Sequence, residues 1–162
     1  MKKLLIIVLA LFIYADEWEL KMPKTGLSFQ EIKGYEDYRV VATHYRTDKN
    51  ELRYILANDI AYKALKSGVG TMPEGSKIVK IGWDVKAMES FPVALEAKTI
   101  QRVEYMIRDK RLHKEADGWG YARFVYKDGK YQPWGGDIQS CVACHASVKE
   151  SDALFTHYQK RY

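Results

Sequence analysis

The stretch "GWGYARFVYKDGKYQPW", residues 118–134, decides the fold. Aromatic and polar side chains alternate on both sides of Asp128-Gly129. Period-two alternation marks a strand, and Asp-Gly between two such runs predicts a tight hairpin turn. Working outward, "KIVKIGWDV" (77–85) is rich in β-branched residues and reads as a strand, and "ELRYILAN" (51–58) as a shorter one. "VALEAKTIQRVEYMIRD" (93–109) reads as extended, and "MPEGS" (72–76) as a turn. Asn58 caps "DIAYKALKSG" (59–68), a short helix with Lys66 in its last turn and Gly68 just past its end. "SFQEIKGYEDYRVVATHYR" (28–46) is mixed and opens with a helical turn near Ser28, while the segment after Ser140 reads as one or two helices. The expected fold is α+β, a mostly antiparallel β-sheet with a few short helices.

At the other end, "MKKLLIIVLALFIYA" has two lysines and an apolar run from Leu4 to Ala15, followed by acidic "DEWEL". This layout predicts a secretory signal peptide over residues 1–15 and a single domain over 16–162. The run is short of the ~20 residues a transmembrane helix needs. The expected location is the periplasm, with no membrane span after processing; an uncleaved anchor is the alternative. Without Lys2 and Lys3, the remaining 147 residues carry 24 basic and 21 acidic side chains. So small and scattered an excess gives no argument for nucleic acid, which selects a concentrated basic face. Twelve tyrosines and four tryptophans suit either an aromatic core or the lining of a large flat ligand.

The only two cysteines stand in "SCVACHASVKESDALFTHY", residues 140–158. Cys141, Cys144 and His145 form C-x-x-C-H, the c-type haem attachment motif. Each thiol adds to one haem vinyl group, and three residues of helix bring both to one porphyrin edge. The imidazole of His145 then ligates iron. The motif predicts one haem c, covalently held through two cysteines, with His145 as the metal ligand. A disulfide between the pair would close a tiny loop and stabilise little. Structural zinc needs about four ligands, usually from two clusters, and a thioredoxin-like pair belongs early in a βαβ unit.

An electron-transfer cytochrome usually takes a methionine downstream of the motif as its sixth ligand. Here Met22, Met72, Met88 and Met106 all precede it and read as core filler. His113 lies in a charged stretch and is expected to face solvent; nothing in the pattern favours His44 or His157. The leading expectation is a five-coordinate haem with one open face. Cytochromes c′ also carry a C-terminal C-x-x-C-H, but on four long helices, which the strand-rich middle of this chain excludes.

Taken in order, "MPEGSKIVKIGWD", "GWGYARF" and "CVACHASVKESDALFTHY" resemble the cytochrome P-460 family, which includes the cytochromes c′-β. The resemblance spans about residues 35–158. It implies an exported, predominantly β, homodimeric mono-haem protein with an open iron face, served by a redox partner cytochrome. It also implies ligands that are small gases or nitrogen compounds. Cytochrome P-460 proper oxidises hydroxylamine and carries a lysine joined to its porphyrin. The c′-β members lack that link, bind nitric oxide or carbon monoxide, and cap the iron with aromatic side chains. The matching lysine is Lys80, on a strand face with Ile78 and Gly82. Ile81 stands where the family pattern has an acidic residue, and Lys77 and Lys86 are nearby rivals.

The resemblance makes Trp119 and Phe124 candidate haem packers, with hairpin core as their alternative role. Trp134 and Gly135-Gly136 are candidates for the rim. For a hydroxylamine oxidase the proton acceptor would be Glu96 or Glu104, though both read as surface residues. For a gas binder the aromatic cap would come from Phe91, Trp83 or Phe29. Whether the protein is an enzyme stays open at this point.

Overall fold

The computed structural model describes residues 17–161 apart from Val69; the signal peptide expected over 1–15 lies outside the described residues. Six antiparallel strands pair in chain order. They are β1 (Arg39–Arg46), β2 (Glu51–Ala57), β3 (Lys77–Ala87), β4 (Leu95–Arg108), β5 (Trp119–Lys127) and β6 (Lys130–Pro133). Among the described residues two α-helices accompany them, α1 (Asp59–Ser67) between β2 and β3 and α2 (Gln139–Ala146) near the C-terminal end. The α+β reading and the antiparallel sheet hold.

Local chemistry explains the punctuation. Asp128 and Gly129, both at positive φ (53° and 80°), form the two-residue turn between β5 and β6. Asn58 caps α1 by accepting the Ala61 N–H at 3.0 Å, and Gly68 ends the helix in the left-handed region. The mixed segment 28–46 holds β1, which its sequence pattern does not single out. The helical turn expected there is a 3-10 turn, Phe29–Ile32, followed by a second, Tyr35–Asp37.

Alternation gives the sheet two unlike faces. Leu56, Val79, Ile81, Val103, Tyr105 and Phe124 are buried on one. The N-terminal segment covers that face, with Phe29 against Phe124 at 4.8 Å between ring centroids. The other face is crossed by α2 and the tail that follows. Gln159 closes the tail onto β1, its N–H donating to the Val41 carbonyl at 2.9 Å.

Candidate functional site

Between α2, the tail and the second sheet face lies a cleft of ≈ 760 Å³. Strand register builds its floor in rows. Arg53, Gly82 and Arg102 stand side by side across β2, β3 and β4. In the next row are Ile55, Lys80, Glu104 and Arg123, and beyond them Ile78, Met106 and Tyr121. Cys141, Cys144 and His145 of α2 line the same space, as do Leu154 and Phe155 of the tail and His44 of β1.

The floor is charged and paired. The Glu51 carboxylate bridges Arg53 and Arg102. Glu104 takes Lys80 on one oxygen and Arg123 on the other, with Arg102 at 3.2 Å. Gly82 makes room for this ladder, since a Cβ there would sit 3.2 Å from the Glu51 carboxylate. Four cations meet two carboxylates, so the floor keeps a positive excess. Burial would raise the Glu104 carboxyl, but the Lys80 ammonium and the Arg123 guanidinium outweigh it and hold it at about 2. Burial pushes the Lys80 ammonium down, against the pull of Glu104.

On α2 both thiols are free, Cys144 exposed and Cys141 half-buried, and burial pushes the Cys141 thiol up. The His145 ring lies between Tyr121 and Phe155, at 5.0 and 5.2 Å between ring centroids. Its Nδ1 is 2.6 Å from the Ala153 carbonyl oxygen. A carbonyl only accepts, so Nδ1 carries the proton and the Nε2 lone pair is left for a metal. Burial lowers the imidazole's proton affinity, which keeps it in the ligating neutral form.

Of the residues named from sequence, the fold brings Lys80, Cys141, Cys144 and His145 into one cleft. Trp119 and Phe124 are elsewhere, both buried in the hydrophobic core. Trp119 lies under the Arg108 guanidinium at 5.2 Å. Phe29 packs beneath Phe124, Trp83 stacks edge-on with Tyr54 at 5.0 Å, and Phe91 is exposed. None of the three lines the cleft. Trp134 sits behind Arg123, 4.1 Å from ring to guanidinium.

Glu104 corrects the surface expectation, being 8% exposed on the cleft floor. Glu96 pairs with Lys86 at 3.1 Å, and Lys77 with the Glu31 backbone, both outside the cleft. His113 is half-buried rather than solvated: its ring lies so close over Gly120 that a Cβ there would come within 2.4 Å. Met22, Met72 and Met106 are core residues as expected. Sequence reasoning missed Arg53, Arg102, Arg123, Tyr121 and Phe155 as cleft residues, and Glu51 as the carboxylate that pairs with the two arginines. The one signal, for Glu51, Arg53 and Arg102, was the spacing of two in "ELRYI" and "QRVEYM".

Haem fits these residues. Two thiols one turn apart suit two vinyl groups, a proton-fixed imidazole suits iron, and the cationic floor suits a ligand bearing two carboxylates. Among the described residues no group of three or more His, Cys, Asp and Glu gathers as a protein-only metal site. The helix that carries C-x-x-C-H crosses one face of an antiparallel sheet. The Cytochrome P460 family matches residues 32–156, and the chain belongs to that family. A comparison with curated proteins returned no match. Among the described residues no helix is long and apolar enough to cross a membrane.

Proposed function

We propose that this protein is a periplasmic mono-haem c-type cytochrome that transforms small nitrogen compounds, hydroxylamine first among them. Cys141 and Cys144 would hold one haem through their thiols, and His145 would ligate its iron. The observation that carries the enzyme reading is the charged floor. A gas-binding member would need an apolar aromatic cap over the iron, whereas Lys80 and Glu104 line this cleft. None of the cap candidates, Phe91, Trp83 and Phe29, reaches it.

Bound haem would supply an electron-accepting iron. The chain's own residues supply orientation and proton handling. Tyr121 and Phe155 fix the imidazole plane. Desolvation favours the neutral Lys80 amine, the nucleophilic form; joining it to a porphyrin carbon would cost one N–H and one C–H and would take a two-electron oxidant such as a peroxide. While Lys80 is charged, Glu104 is too acidic to act as a base. Once Lys80 is neutral or consumed, the carboxyl loses a major attraction and rises towards the ordinary range, where it can accept protons.

A second reading rests on the apolar end of the cleft, Ile55, Ile78, Met106 and Leu154. That end suits a neutral diatomic such as nitric oxide or carbon monoxide. One experiment separates the readings: intact mass, optical spectrum and haem-peptide mapping of exported holoprotein. The enzyme reading expects a haem peptide carrying both 141–145 and the segment around Lys80, with hydroxylamine turnover lost in Lys80→Ala. An ordinary c-type spectrum, with haem on the cysteine peptide alone, establishes the gas binder instead. Unmodified thiols on exported protein overturn both. Homodimer formation and a redox partner cytochrome belong to the same proposal. Exposed Phe91, Val93 and Leu95 around the β3–β4 turn form a candidate dimer surface, tested by sedimentation of Val93→Glu.

A further inference from the structure

Behind α2, on the side away from the cleft, the backbone that receives His145 is held in an unfavourable shape. Asp152 and Ala153 are consecutive non-glycine residues at positive φ, 52° and 62°. L-residues seldom adopt that conformation, and two in succession persist only when the surroundings over-determine them. The strained pair ends in the carbonyl that accepts the His145 Nδ1–H at 2.6 Å.

The surroundings do over-determine it. Asp152 uses both carboxylate oxygens. Oδ2 accepts the Met72 N–H at 2.7 Å, and Oδ1 faces the Arg108 guanidinium at 3.2 Å. Arg108 is itself fixed. It is 4% exposed, donates to the Asp117 carbonyl at 2.6 Å and lies over the buried Trp119 ring at 5.2 Å. The result is a chain of contacts from the β4 end of the sheet to the imidazole. A buried arginine with such fixed partners leaves Asp152 one position, and the neighbouring carbonyl follows.

We propose that Arg108 and Asp152 are positioning residues for the metal-binding imidazole, holding the Ala153 carbonyl on His145 Nδ1 and so setting the donor strength of that ligand. The inference rests on the haem reading above, but concerns residues that touch neither haem nor substrate. A firm acceptor on Nδ1–H makes the imidazole more basic and a better donor to iron. It stabilises the oxidised metal and strengthens the iron–nitrogen bond. A loosened carbonyl does the reverse.

The test uses exported holoprotein: wild type, Asp152→Asn and Arg108→Met. Asn tolerates positive φ and keeps an acceptor for Met72, so Asp152→Asn isolates the lost charge. Intact mass first reports whether one haem is attached in each. The readouts are the iron–imidazole stretching frequency of the reduced protein and its midpoint potential. Both variants should show a lower frequency and a higher potential, Arg108→Met more than Asp152→Asn. Lys149→Ala, which removes only an exposed pair with Asp117, should change neither. Haem-loaded variants with wild-type frequency and potential overturn the proposal and leave the haem reading standing. Should neither variant fold, the wild type still decides: the Nδ1 proton of ligated His145 should exchange slowly with solvent, and fast exchange overturns the proposal. Wild type without covalent haem overturns the underlying reading and this inference with it.

Discussion

Neighbouring residues of one strand, Glu104 and Tyr105, point to opposite faces of the sheet and meet opposite physics. On the Tyr105 side, Val79, Val103 and Phe124 are fully buried with Phe29 and Ile32. Each large apolar side chain there stabilises by about 1.5–3 kcal/mol through water exclusion. On the Glu104 side, charges are removed from water at a cost that pairing roughly offsets, so a buried ion network is weak support for a fold. The difference separates scaffold from site. A face that contributes little net stability yet holds two carboxylates and four cations in register is best explained by what lies on it.

The largest expected effect is on the scaffold face. Phe124→Ala removes a fully buried ring in contact with Phe29, and should cost about 3–5 kcal/mol of unfolding free energy. Denaturant unfolding measures it. A loss under about 1 kcal/mol would break the comparison, because it would mean that this face does not hold the fold. On the cleft face, Glu104→Leu alone should be nearly as damaging, about 3–5 kcal/mol, since it strands Lys80 and Arg123 without a partner. The double variant Lys80→Met with Glu104→Leu should recover much of that loss. If it recovers nothing, the charged pair contributes to stability in its own right.

What the sequence showed, and what it hid, follows the same division. The hairpin at Asp128-Gly129, the capped helix after Asn58 and the C-x-x-C-H cluster are local signals, complete within a few residues, and were legible. Glu51, Arg53, Arg102 and Glu104 alternate as a solvated strand face would. Their burial comes from α2 and the tail, which lie far along the chain, so no local pattern announces it. The same distance left the aromatic roles open. Phe29, Trp119 and Phe124 have the character of flat-ligand packers, and only the tertiary fold assigns them to the core. That Lys80 shares a strand face with Ile78 and Gly82 was legible, because strand alternation needs no tertiary information. The Ala153 carbonyl on His145 carried no sequence signal, since a backbone acceptor has no side chain to read.

Acid sharpens the comparison next. The Glu104 carboxyl is held at about 2 in the folded protein, against an ordinary value of 4.5. A depressed carboxylate contributes stability that is complete above the unfolded value and lost as pH falls through the folded one. Stability should therefore drop between about pH 4.5 and 2. The drop should be smaller in the Lys80→Met, Glu104→Leu double variant. Phe124→Ala should lower the whole curve without changing its shape in that window. Parallel curves for wild type and the double variant would show that Glu104 is not the group being titrated.

The smallest effect tests a polar group on the scaffold face. The Tyr105 hydroxyl donates to the Ser28 carbonyl at 2.7 Å, tying the N-terminal segment to β4. Burial pushes the phenol well above its ordinary range, so the proton that makes this bond is firmly held. Tyr105→Phe keeps the ring and deletes the bond. Ser28 is only half-buried, so water can satisfy its carbonyl in the variant. The expected loss is therefore a net hydrogen bond, about 0.5–1.5 kcal/mol, and not the full penalty of a stranded group. Thermal unfolding would register it as a small downward shift. The haem spectrum of the variant should match wild type, because the change lies on the side of the sheet away from His145. A spectral change with little loss of stability would mean that the two faces are coupled through β4, and the division between scaffold and site would have to be redrawn along that strand.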